Sequence, residues 1–114
     1  MAFSEEQFRE IRREVGGFCD LRVPLHVRDQ VRLLYKIDGQ SVIIVESRPG
    51  YRDPSQWTDL DVAKLRYVIA SNEWRLYWKR ANGKWWRYDP LTRSTRLDAL
   101  VREIDADECG CFFG

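Results

Sequence analysis

Long apolar runs are missing from this 114-residue sequence, and its first fifteen residues, MAFSEEQFREIRREV, mix acidic and basic side chains on an amphipathic pattern. Neither a membrane-spanning helix nor a secretory leader is therefore predicted, and the expected location is the cytoplasm, with no membrane partner. Cysteine is scarce: Cys19, Cys109 and Cys111 are odd in number and too few for a disulfide framework, which agrees with a reducing compartment. The sequence has one histidine, His26, and lacks C-x-x-C, G-x-x-x-x-G-K, G-x-G-x-x-G and a nucleophile elbow, so triad chemistry and nucleotide cradling have little support. An excess of one charge is absent as well. Nineteen basic residues stand against eighteen acidic ones, so any attraction to nucleic acid or anionic lipid must come from how charge is distributed. No internal repeat and no low-complexity segment is present.

Aromatic residues, in contrast, are plentiful: five Trp, five Tyr and five Phe. Each large ring buries on the order of 150 to 250 Å², enough for one domain over residues 1–114 to build a core without staples. Ser4 with Gln7 three residues on forms a capping box, and Phe3 and Phe8 stand at the staple positions, so a helix is predicted from Glu5 to Val15, with Gly16-Gly17 as its stop. Two strands, 31–37 and 41–47, flank Asp38-Gly39, read as a two-residue type I′ hairpin turn. Residues 48–61 read as a long ordered loop anchored into the core by Trp57. Strands at 62–70, 73–80 and 84–88, joined by Ser71-Asn72 and Asn82-Gly83, form a meander that Asp89-Pro90 ends. Thr95, with Asp98 at N3, is expected to cap a closing helix whose apolar positions are Leu97, Leu100, Val101 and Ile104. The expected fold is α+β: a mainly antiparallel sheet of about five strands, a hairpin plus a three-stranded meander, with an N-terminal and a C-terminal helix on its apolar face.

Turn lengths then set side-chain parity. Two-residue turns at Ser71-Asn72 and Asn82-Gly83 place Ile69 opposite Trp74, Tyr67 opposite Leu76, Lys79 opposite Trp86 and Tyr77 opposite Tyr88. One face then carries Leu65, Tyr67, Ile69, Trp74, Leu76 and Trp78; the other carries Lys64, Arg66, Arg75, Tyr77, Lys79, Lys84, Trp86 and Tyr88 with no carboxylate. Cations that neutralise phosphates beside rings on which bases stack are what single-stranded nucleic acid requires of a sheet. Those eight residues are the predicted site, for nucleic acid or an acidic protein surface. The competing structural account is that Lys and Arg stems lie over the rings on a solvated face.

Two other constellations are present. Cys19, His26, Cys109 and Cys111 match a zinc inventory, but their spacing is poor and the C-x-C falls in the tail, so no metal and no other cofactor is predicted. Glu46 with Arg48, supplemented by Lys64 and the loop acids Asp53, Asp59 and Asp61, suggests a metal-dependent hydrolase or nuclease as an alternative; an ion pair pinning the loop explains Glu46 and Arg48 more simply. A third alternative is an oligomeric structural or adaptor protein, a homodimer included, whose aromatic face meets itself.

The segments ESRPGYRDPSQW, VAKLRYVIASNEWRLYWKRANGKWWRY and IDADECGCFFG resemble, nearly end to end, the bacterial family called domain of unknown function 3024. The pattern falls on Glu46, Arg48, Pro49, Trp57, Ala63, Lys64, Tyr67, Trp74, Leu76, Tyr77, Trp78, Lys84, Trp85, Tyr88 and the tail from Gly110 to Gly114, while Cys109 stands where that family has an aromatic residue. The resemblance implies a small bacterial protein with no assigned activity, similar to proteins encoded on mobile gene cassettes.

Overall fold

The computed structural model describes residues 3–114. Its first turn forms as its residue types dictate: Ser4 Oγ accepts the Gln7 N–H at 3.2 Å, Gln7 Oε1 accepts the Ser4 N–H at 2.9 Å, and the Phe3 and Phe8 rings meet edge-on at 5.8 Å. Helix α1, Glu5–Ile11, does not stop at the glycine pair. It widens into a π turn, Arg12–Gly16, and continues as α2, Gly17–Arg22. Gly16 keeps helical dihedrals (φ −62°), and a Cβ there would stand 3.4 Å from the Tyr35 ring. The glycine thus lets the helix lie close on the sheet. The rod ends at Val23, which is extended ahead of Pro24.

The chain is α+β. Its six-stranded antiparallel sheet runs β1 (Arg32–Asp38), β2 (Ser41–Pro49), β3 (Trp57–Val68), β4 (Glu73–Lys79) and β5 (Trp85–Arg87), with the two-residue β6 (Arg93–Ser94) also beside β4. β3 begins five residues earlier than expected, so the loop after β2 is shorter. The first turn is Gly39-Gln40, with Asp38 opposite Ser41 and Gly39 alone at positive φ (58°), a II′-like arrangement in place of the expected I′.

All helices lie on one face. Ile11, Val15 and Phe18 of the rod and Leu97, Leu100, Val101 and Ile104 of α3 (Leu97–Ala106) share one core with Leu33, Val42, Ile44, Leu65, Trp74 and Leu76 of the sheet. The N-cap of α3 is Arg96, one residue later than expected. Thr95 does not cap it; the Arg96 guanidinium instead grips Asp98 at 2.7 and 3.2 Å.

The tail folds back because of one carboxylate. Asp107 ends α3 in the left-handed region (φ 44°) and accepts the backbone N–H groups of Phe112 (3.0 Å) and Phe113 (2.9 Å). Phe112 is thereby buried against Tyr88, ring centroids 4.9 Å apart, and Phe113 lies beneath the Arg22 guanidinium at 3.9 Å. Asp107→Ala removes two charge-assisted bonds and leaves alanine in a backbone region it disfavours, so urea unfolding should show a loss of about 2 to 3 kcal/mol. Asp107→Asn, which tolerates that backbone and keeps one acceptor, should lose less; equal stability of all three chains would refute the clasp.

Candidate functional site

The site is the sheet face that the helices leave bare. β2 is apolar on both sides: Val42 and Ile44 meet the helices, while Ile43 and Val45 point away yet are each only 5 % exposed. In register, Ile43 stands between Lys36 and Lys64, and Val45 between Leu34 and Asp61. Side chains of the flanking strands therefore shelter this strand in place of a helix. A β-bulge lies between the Ile44–Ala63 and Val45–Asp61 pairs, so Val62 is the extra residue. It turns both Asp61 and Lys64 onto the bare face. Asp61 there binds Lys36 Nζ at 3.3 Å and Lys79 Nζ at 3.4 Å, tying β1, β3 and β4 together.

The β3–β4 connection contains four residues, Ile69–Ser71 in a 3₁₀ turn followed by Asn72 at φ 50°, and pairs Tyr67 with Trp74. This moves the register by two residues from the expected one; Leu65, Tyr67, Trp74, Leu76 and Trp78 keep their expected face, while Ile69, expected on it too, lies exposed in the turn. Tyr67 Oη donates to Asn72 Oδ1 across the turn.

The β4–β5 turn has the opposite effect. Its loop contains three residues, 81–83, closed by Arg80 N–H to Lys84 O at 3.0 Å and Gly83 N–H to Arg80 O at 2.8 Å, with Gly83 at φ 80°. Lys79 consequently pairs with Trp85, Trp78 with Trp86, and Tyr77 with Arg87, one residue away from the expected register.

That slip redistributes the predicted site. Lys64, Arg66, Arg75, Tyr77 and Lys79 do share the bare face. Lys84 is exposed in the turn, Trp86 lies on the opposite face with its ring under Arg80 at 4.5 Å, and Tyr88 is buried in the core with its hydroxyl donating to Glu103 at 3.3 Å. Burial first, then Cys109 and Glu103, push the Tyr88 phenol pKa up. Trp85 and Arg87 take the vacated places. The Trp85 ring has Lys79 Nζ at 5.4 Å and Lys64 Nζ at 5.9 Å from its centroid. Trp57 belongs to this face as well, beneath the Arg32 guanidinium at 4.3 Å and outside the core it was expected to anchor.

The face also carries carboxylates that the sequence reading left out. Asp61 and, farther along β3, Asp59 are two. Glu73 is another: buried, it accepts the Ser71 hydroxyl at 2.7 Å and faces Arg75 at 3.6 Å and Arg93 at 3.7 Å. Lys64, Arg66 and Arg87 make no ion pair among the described residues.

Beyond Arg87 the edge breaks. Leu76 accepts the Tyr88 N–H and donates its own N–H to Thr92 O, both at 3.0 Å, so residues 89–91 leave the ladder between β5 and β6. The break leaves a cavity of about 300 Å³ lined by Arg75, Tyr77, Arg87, Thr92 and Arg93. Arg87, Thr92 and Arg93 were not foreseen as site residues; the signal was the arginine on each side of the Asp89-Pro90 interruption.

The other sequence constellations do not converge. Glu46 faces the helix side, where Arg48 Nε holds it at 2.8 Å, while Asp59 and Asp61 project from the opposite face and Asp53 receives Ser55 within its own turn. Cys19 lies in the core, its thiol pushed up to about 12 by burial and by Asp20, whereas Cys109 is exposed and Cys111 half-buried. Among the described residues no group of three or more His, Cys, Asp or Glu side chains is arranged to hold a metal, and no helix is long and apolar enough to cross a membrane.

Fold and face define a small α+β protein whose helices all pack on one side of an antiparallel sheet, leaving a cation-rich side open. A family model described as "Domain of unknown function (DUF3024)" matches residues 3–114, and the chain belongs to that family. No curated protein and no solved structure matches it.

Glu73 supplies a test of the charge arrangement. The Ser71 hydroxyl, and then Arg93 and Arg75, hold its carboxyl below the ordinary value of 4.5. A depressed folded value stabilises the protein above the ordinary pKa and ceases to do so as pH falls through the folded one. Urea unfolding from about pH 6 down to pH 3 should therefore show a shallower acid loss for Glu73→Gln than for the parent chain. Asp53 and Asp98, also held low, keep their share of the slope; an identical acid limb in the variant would contradict the assignment.

Proposed function

We propose that this chain is a binding module that engages single-stranded nucleic acid through its bare sheet face. The reading is supported above all by one observation: Lys64, Arg66 and Arg87, without carboxylate partners among the described residues, stand beside the Tyr77 and Trp85 rings on a side that no helix covers. Phosphates are attracted by the free cations, and bases gain roughly 1 to 3 kcal/mol each by stacking on rings. Asp61 acts as an internal competitor, since it occupies Lys36 and Lys79, which would otherwise face phosphate. An acidic protein surface would use the same cations but would have little need of the rings.

A labelled single-stranded oligonucleotide, titrated by fluorescence anisotropy at several salt concentrations, tests this. Three cation contacts predict a slope of log affinity against log salt of about −2. Lys64→Glu and Arg66→Glu should each weaken binding several-fold, and Trp85→Ala should weaken it without changing the slope. Asp61→Asn should tighten binding and steepen the slope by about 1.4 as two lysines are released. Salt-independent binding, or an Asp61→Asn chain that binds no better than its parent, would sink the reading; ring variants without effect would favour an acidic protein as the partner.

A further inference from the structure

From the cavity at the broken edge we infer a site for a phosphate monoester dianion. Several features of the cavity support this. Three arginines, Arg75, Arg87 and Arg93, line it together with Tyr77 and Thr92. Among the described residues Glu73 is the only carboxylate in an ion pair with them, so three positive charges against one negative leave two, the charge of a monoester rather than of a backbone diester. Glu73 does not saturate the forks: it stands 3.6 Å from Arg75 and 3.7 Å from Arg93, well beyond the roughly 2.7–2.9 Å of a close charge-assisted bond. Arg87 has no ion pair among the described residues. Arginine is also the appropriate cation, because its planar, weakly hydrated fork presents paired donors to tetrahedral oxygens.

The backbone creates this arrangement. An uninterrupted edge strand would pair straight along β4. Taking residues 89–91 out of the ladder interrupts the strand between Arg87 and Arg93 while leaving both residues at positions of the bare face, opposite Tyr77 and Arg75. The cavity, at about 300 Å³, has room for the phosphate and part of the group it esterifies.

Two sources share this chemistry, the phosphorylated end of a nucleic-acid strand and a free small phosphate ester. The inference rests on the nucleic-acid reading only for the first. The test uses phenyl phosphate, and phenyl sulfate as a probe of similar shape with one charge fewer, titrated into the full chain and followed by backbone amide NMR. Saturable shifts at Arg75, Tyr77, Arg87, Thr92 and Arg93 are expected, with phenyl sulfate at least tenfold weaker and Arg87→Ala and Arg93→Ala each at least tenfold weaker for phenyl phosphate. Both substituted side chains are solvent-facing, so the variants should keep the parent spectrum, and Arg80→Ala, on the far side of the turn, should bind as the parent does. No saturable shift at the five residues, equal binding of the two probes, or indifference to Arg87→Ala would overturn the site.

Oligonucleotides of one sequence, with and without a phosphate at the 5′ or 3′ end, separate the sources. An end-phosphate gain in affinity that Arg87→Ala abolishes assigns the strand end; binding of phenyl phosphate without such a gain assigns a small ester. Oligonucleotide binding with no phenyl phosphate binding would remove this site and leave the nucleic-acid reading intact. Phenyl phosphate binding with no oligonucleotide binding would do the reverse.

Discussion

Ile43 and Val45 are buried on the side of the sheet that has no helix to bury them, and this constraint governs most of the molecule. Sealing two such residues from water is worth roughly 1.5 to 3 kcal/mol each, so the sheet roofs them with its own side chains. Lysine and arginine suit that task because their stems are apolar while their ends stay wet. Beside Ile43, which stands between Lys36 and Lys64, the roof of the strand and its outward charge are consequently the same residues. Asp61 keeps that charge from repelling itself, at the cost of occupying two of the cations.

On the opposite side the same economy of space appears in smaller residues. Gly16 lets the helical rod approach Tyr35, and the π turn at Arg12–Gly16 carries the rod past the point where a glycine pair would ordinarily end it. The Asp107 clasp then brings Phe112 and Phe113 over the end of the sheet, closing the core around Tyr88. Tyr88 therefore serves the interior, and the binding face depends on its neighbours Trp85 and Arg87.

Much of this was legible in the residues, and the exceptions have physical causes. The capping box, the helix periodicity, the antiparallel order and most of the strands follow from local patterns. Two hairpins settled two residues away from the expected register, yet period-two alternation returns each side chain still in the ladder to its expected face after such a shift. The third moved by one. Trp85, Trp86 and Tyr88 place rings on both parities of β5, so hydrophobic patterning cannot choose between registers, and Asn82-Gly83 suits a two-residue turn as well as a three-residue one with glycine left-handed. The bulge at Val62 and the early start of β3 left no trace in composition, because residues 50–56 and the first residues of β3 are alike rich in polar side chains. From sequence alone Asp61 therefore looks like a loop residue, and the face looks more basic than it is.

The interruption at residues 88–92 has a consequence beyond the cavity it opens. It leaves the β4 border covered by two pieces of three and two residues, too short and too offset to template a neighbouring polypeptide. The other border, β1, is a continuous seven-residue strand with half of Leu34 in solvent. Edge-to-edge recruitment between molecules thus has one usable flank, and any such association would close on itself at two copies instead of propagating as a fibril.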